Sequence, residues 1–165
     1  MKGIEQSDDI KNPYEDIKEL KLKKMNKTHW SLNGLIKILR DDIPRERLLY
    51  SLRGATKKGN GYSETSLFQW NKLNYCEIWC NEPLFMPSVR ASINYTGSNC
   101  CPYPVGTYAM VDFIPDTSKL PSYIPEKYWR FEYLIHDLDT IVCRIKVYIE
   151  LEPVLEEHPK SFTSS

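Results

Sequence analysis

The chain has 165 residues and a mass of 19.4 kDa, a size that suits one domain with a real core. Its 22 basic residues balance 22 acidic ones, and no basic stripe runs among aromatics, which argues against a nucleic-acid partner. No window approaches the roughly 18 continuous apolar residues that a membrane helix requires.

In chain order, residues 1–13 read as a disordered lead-in ending at Pro13, residues 14–153 as the folded domain and residues 154–165 as a polar tail. The N-terminus, Met1 to Asp9, is polar and does not read as a signal peptide. Leu20 and Leu22 alternate with Lys21 and Lys23, giving a short first strand. After a turn at Met25-Asn26-Lys27-Thr28, Trp30, Leu32, Ile36 and Ile38 share one phase and Ser31, Asn33 and Lys37 the other. That is a second strand, and Gly34 within it signals a bulge or a close backbone approach. Leu48, Tyr50 and Leu52 continue as a third strand, ending in the loop Lys57-Lys58-Gly59-Asn60-Gly61. The period then changes. Leu67, Trp70, Leu73 and Cys76 or Glu77 recur at helical spacing, which predicts a helix from about Ser66 to Cys80, capped by Ser63 or Ser66 and ended by Pro83.

Residues 87–101 read as irregular, residues 107–114 as a fourth strand, and residues 115–127, with three prolines, as a crossover loop. The clearest signal comes last. Trp129, Phe131, Tyr133 and Ile135 alternate with polar residues, and after the turn at residues 136–140 so do Cys143, Ile145, Val147, Ile149 and Leu151. A period of two over two segments joined by a short polar turn is a hairpin with one dry face. Several such strands with one short helical insertion predict an all-β, immunoglobulin-like β-sandwich.

Five cysteines are present, four of them in one stretch: Cys76, Cys80, Cys100 and Cys101. Residues 76 and 80 would share a helix face, so both can reach the pair at 100 and 101. Disulfides are favoured over a four-thiolate zinc site, whose paired ligands usually stand two residues apart. The odd count leaves Cys143 unpaired or joined to an outside partner. Asn26-Lys27-Thr28 and Asn94-Tyr95-Thr96 are glycosylation sequons placed in turns or loops. Cysteines and sequons together favour a secreted or lumenal protein, with the missing signal ascribed to a truncated N-terminus. His29, His136 and His158 fall in a turn, a hairpin tip and the tail, with nothing to pair any of them with a nucleophile. The acidic pairs sit in turns. No catalytic group, metal site or cofactor is expected.

The order Cys100-Cys101-Pro102-Tyr103-Pro104-Val105-Gly106-Thr107-Tyr108, Leu120-Pro121-Ser122-Tyr123-Ile124-Pro125, Tyr128-Trp129-Arg130-Phe131-Glu132 and Val142-Cys143-Arg144-Ile145-Lys146-Val147 resembles the C-terminal half of the ML lipid-recognition superfamily. It is most similar to the ganglioside-activator-like proteins, and it also resembles the insect branch, mostly uncharacterised and partly linked to pheromone sensing. The resemblance covers roughly residues 14–153. It implies a β-cup whose two sheets stand apart to hold an apolar ligand, a carrier or presenter with no enzymatic role. It further implies a bridge from Cys101 to Cys76 (or Cys80). The partner that the family gives the position of Cys143 lies in the first strand, where this chain has no cysteine.

The expected function is therefore binding, transport or presentation of a lipid or other apolar small molecule between the sheets, with a membrane surface or a receptor as a further partner. Trp30, Leu32, Ile36, Ile38, Phe113, Trp129, Phe131, Tyr133, Ile145, Val147 and Ile149 are the expected lining, and Trp79, Phe85 and Met86 the expected mouth. The run Leu84-Phe85-Met86 beside prolines suits an adaptable rim, and packing of the helical segment onto the sheet would explain it equally well. The competing expectation is a secreted protein-interaction sandwich, a chemosensory accessory or immune-recognition protein, with a filled core and no ligand.

Overall fold

A computed structural model describes residues 2–116, 118 and 126–151. Most of the crossover loop expected over 115–127, including the Leu120–Pro125 motif, and the tail over 154–165 lie outside the described residues. Among the described residues the strands are β1 (Gly3–Gln6), β2 (Glu15–Asp16), β3 (Lys21–Lys24), β4 (Trp30–Ile38), β5 (Leu48–Lys58), β6 (Gly61–Asn74), β7 (Gly106–Phe113), β8 (Tyr128–Asp137) and β9 (Thr140–Glu150). Two short helices, α1 (Tyr75–Asn81) and α2 (Met86–Ala91), stand between β6 and β7.

The strands form two antiparallel sheets. The larger runs β1-β9-β8-β5-β6. In the smaller, β4 is central: β3 and β2 pair in succession with its two ends along one side, and β7 pairs along the other. The architecture is an all-β sandwich, as the alternation predicted. The terminal hairpin pairs Trp129 with Ile149, Phe131 with Val147, Tyr133 with Ile145 and Ile135 with Cys143, so the dry sets of its two strands meet on one face. Leu138, with φ 52°, closes its turn.

Gly34 has φ 141°, and a Cβ there would collide with the Glu19 carbonyl. The edge formed by β2 and β3 is interrupted over that spot, so the chain between them lies directly on the β4 backbone. Opposite, β7 carries one extra residue between Met110 and Phe113, and Asp112 has φ 51°. The Asp112 N–H donates to Asn33 Oδ1 at 2.7 Å. Glycine in β4 thus marks a close backbone approach, while the added residue of the bulge belongs to β7.

Three expectations are overturned. The lead-in expected to be disordered over 1–13 contains a strand. Residues 3–6 form β1, pairing with Tyr148 to Ile145 of β9, and Gln6 clamps the following turn by donating to the Glu15 carbonyl at 2.8 Å and accepting from the Ile17 N–H at 2.7 Å. A four-residue strand with a single isoleucine is too short to display a period. The helix expected over 66–80 is instead a fourteen-residue strand, β6, followed by the seven-residue helix α1. Between Arg53/Gln69 and Ala55/Glu64, and again between Tyr50/Leu73 and Leu52/Trp70, β6 carries extra residues relative to β5. Phe68 (φ 58°) and Lys72 (φ 51°) sit in those bulges. The one residue inserted near Lys72 turns a strand spacing of two into three between Trp70 and Leu73, which imitates a helix, and the larger insertion between Glu64 and Gln69 breaks the alternation before it. The cap of α1 is Asn74, whose side chain accepts from the Glu77 N–H at 3.0 Å, in place of Ser63 or Ser66. The stretch expected to be irregular over 87–101 begins with α2, which has a proline in its first turn.

Replacing Gly34 by alanine is expected to lower unfolding stability by at least about 3 kcal/mol, because both the φ and the contact with the Glu19 carbonyl oppose a side chain. Urea denaturation of the two proteins measures it.

Candidate functional site

The inner faces of the sheets do not close on each other. Between them lies a cavity of about 170 Å³, walled by Leu32, Ile36 and Ile38 of β4, Met110 and Phe113 of β7, Tyr50 of β5, Phe131, Tyr133 and Ile135 of β8, and Ile145, Val147 and Ile149 of β9. The volume is similar to that of an apolar cavity that stays dry and accepts a benzene-sized guest (about 150 Å³).

Of the expected lining, Leu32, Ile36, Ile38, Phe113, Phe131, Tyr133, Ile145, Val147 and Ile149 all face the cavity. Trp30 and Trp129 do not line it. Trp30 lies at the outer end of β4, half-buried, with Lys24 Nζ 5.9 Å over its ring. Trp129 is buried beyond the cavity: Phe131 stacks on it at 5.8 Å, Phe68 abuts it edge-on at 5.5 Å, and its Nε1 donates to the Glu126 carbonyl. Phe68 reaches it from the large bulge of β6, where Gly54 leaves room. A Cβ at residue 54 would stand 2.9 Å from the Leu67 carbonyl oxygen.

The helical segment covers one flank. Trp79 and Phe85 are half-buried and border the cavity, while Met86, expected at the rim, is buried against it. Their position follows from Glu82, a buried carboxylate that accepts from the N–H groups of Leu84, Phe85 and Met86. Phe85 packs on the large sheet against Phe68, Trp70 and Phe131 while bordering the space, and the buried Met86 is no rim residue. Cys76 is bonded to Cys101 and Cys80 to Cys100, with Cα separations of 5.4 and 6.1 Å. Adjacent cysteines before β7 thus meet an i, i+4 pair on α1, and the two sheets are tied through this segment. Cys143 is buried and free. Trp79 stacks on Tyr75 and meets Tyr103 edge-on, and Tyr103 lies 4.0 Å from Tyr95.

One polar feature of the site escaped the sequence reading. Glu15 of β2 pairs with Ile38 of β4, so its side chain shares the inner face with Ile38 and joins the cavity lining. Among the described residues its carboxyl has no hydrogen bond or ion pair. Burial pushes its pKa up from 4.5 to about 7. Around it stand Tyr14, Tyr50 and Tyr75, whose rings lie 5.7 Å (14 to 75) and 6.2 Å (50 to 75) apart. Burial, and to a lesser degree the Glu15 charge, raise all three hydroxyls. Tyr133, 5.9 Å from Tyr50, is pushed up to about 12 by burial. Burial likewise raises the Cys143 thiol, which removes it from thiolate chemistry at neutral pH.

On the opposite face of the large sheet, Ser51 Oγ lies 2.9 Å from His136 Nε2, a pairing the sequence gave no reason to expect. Both residues are buried, Ser51 Oγ also accepts the Lys72 N–H at 3.0 Å, and His136 Nδ1 has no partner among the described residues. Burial first, then Lys72 and Arg53, depress the imidazole pKa. With no carboxylate on Nδ1, the orienting third member of a nucleophilic site is missing. The pair is a cross-strand hydrogen bond. Asn26 and Asn94 are both exposed; their Oδ1 atoms accept from Thr28 and Ala109 N–H groups. Among the described residues, no cluster of His, Cys, Asp or Glu could hold a metal ion, and no helix is long and apolar enough to cross a membrane. The two disulfides fit an extracellular or lumenal protein.

A family model described as a protein of unknown function (DUF1091) matches residues 50–131, a span that runs from β5 through both helices into β8. No curated protein matches the chain.

Because the neutral form of the Glu15 carboxyl is the one burial favours, its stabilising contribution is full below about pH 4 and is lost as pH rises through about 7. Glu15→Gln lacks that slope. Relative to wild type, the variant is expected to gain about 2 to 3 kcal/mol between pH 4 and pH 8, read from denaturant titrations at each pH.

Proposed function

We propose that the protein binds an apolar small molecule, such as a lipid or hydrocarbon chain, between its sheets and carries or presents it without chemical conversion. The observation that supports this reading is the unfilled space walled by side chains of β4, β5, β7, β8 and β9. A filled-core interaction sandwich would interdigitate those same residues at native packing density. Each methylene transferred from water contributes about 0.8 kcal/mol, so an eight-carbon chain gains roughly 6 kcal/mol before the cost of association. No acid, base or nucleophile is needed for that.

The C-terminal motifs that resemble the ML lipid-recognition superfamily imply the same activity, with the sheets spread as a cup. On this reading Trp79 and Phe85, half-buried on the flank beside α1 and α2, form the entry, and a guest passes them to reach Ile36 and Val147. The disulfides and the exposed sequons at Asn26 and Asn94 further support a secreted or lumenal glycoprotein, with a membrane surface or a receptor as the place of delivery.

N-phenyl-1-naphthylamine, a neutral probe that brightens in apolar surroundings, is expected to bind the full chain saturably at one equivalent with micromolar affinity. Ile36→Trp, which puts an indole into the space, is expected to weaken it at least tenfold, with an unchanged far-UV circular dichroism spectrum; Val147→Phe serves the same purpose with a smaller side chain. Absence of probe binding to wild type at tens of micromolar would refute the proposal.

A further inference from the structure

We propose that Glu15 is the head-group anchor of the cavity: its carboxyl hydrogen-bonds the hydroxyl of an otherwise apolar guest, so the site takes alcohol-headed chains and disfavours carboxylates. This rests on the binding role proposed above and adds the chemical class of the ligand. Three observations carry it. The β2–β4 register, with Glu15 opposite Ile38, directs the side chain inward. The carboxyl belongs to the lining of an otherwise mainly apolar space. Among the described residues it has no hydrogen-bond or ion-pair partner, and a half-buried carboxyl set among apolar walls is left short of the partners it would have in water.

The placement is enforced. Gln6 holds the Glu15 and Ile17 backbones from β1, and the Tyr14 N–H donates to the Val142 carbonyl at 2.8 Å. These bonds fix the segment across the joint between the sheets, so the side chain does not swing out with a flexible loop. Tyr14, Tyr50 and Tyr75, which feel the Glu15 charge, set aromatic rings on the same side of the space.

A hydroxyl suits this carboxyl in either protonation state. It donates to the ionised form and accepts from the neutral form, and burial keeps both forms present near neutral pH. A carboxylate guest can only accept. It faces charge repulsion from the ionised form and must otherwise force Glu15 to take up a proton. An alkane leaves the carboxyl unsatisfied. A buried polar group left without its partner is what makes such sites selective.

The test is displacement of N-phenyl-1-naphthylamine from the full chain at pH 7.5 by octan-1-ol, octanoate and n-octane. Octan-1-ol is expected to displace the probe at a concentration at least tenfold below that of octanoate. Glu15→Leu should bring the two within about threefold, by weakening the alcohol and strengthening the carboxylate, and should improve octane. Glu15→Gln, which keeps size and hydrogen bonding but loses the charge, should retain alcohol binding and strengthen octanoate. Equal displacement by alcohol and carboxylate in wild type, or a preference that survives in Glu15→Leu, overturns the Glu15 assignment while leaving the cavity a binding site. Failure of the probe and all three chains to bind removes the binding role and this assignment with it.

Discussion

The spacing between the two sheets is held covalently at one flank, and the interior follows from that. Cys76 and Cys80 lie on the helix that continues β6 of the large sheet, and Cys100 and Cys101 immediately precede β7 of the small one. Two apolar faces in water gain about 25 cal/mol for each Å² they cover, so without a spacer they would close. Bridges alone do not stop that. Rigid rings do: Tyr75 on Trp79, Trp79 against Tyr103, and Tyr103 against Tyr95 and Tyr108 form a continuous aromatic wall on the bridged flank. Side chains with only two torsions cannot fold into the gap as methionine or leucine would.

The opposite flank is held by hydrogen bonds. Gln6 reaches from β1 to the backbone of residues 15 and 17, and the Tyr14 N–H reaches the carbonyl of Val142. Clamped on both sides, the sandwich keeps its middle open while one end is filled. Trp129, stacked with Phe131 and covered by Phe68 from the β6 bulge, is the plug at one end.

Polar side chains in and around the interior differ in the partners they find. Ser51 Oγ and His136 Nε2 pair across neighbouring strands, while His136 Nδ1 has no partner among the described residues, and Glu82 accepts from three backbone N–H groups. Those are structural pairings of the sort that buried polar atoms normally find. Glu15 has no such partner, although it stands within a cluster of tyrosines. On the proposed reading, that difference reflects the guest that the cavity takes.

Much of the architecture could be read from residue order. The two-residue alternation from Trp129 to Leu151, the strand Trp30–Ile38 with its glycine and the strand around Tyr50 each carry their own period. A strand with one dry face shows its phase in any sequence long enough to repeat it. Nine of the eleven expected lining residues face the cavity for that reason. The cysteine set pointed to disulfides because four thiols clustered in one stretch, but which cysteine met which required the helix and the loop to be placed. The rest was decided in three dimensions. The β6 bulges disguised a strand as a helix, because an inserted residue changes spacing without changing composition. β1 was too short to repeat. Trp30 and Trp129 have the right phase but lie past the ends of the cavity, and phase says nothing about position along a sheet. Glu15 gave no signal in the sequence, since a two-residue strand has no pattern of its own. Only its register against Ile38, set by contacts from distant segments, turned it inward.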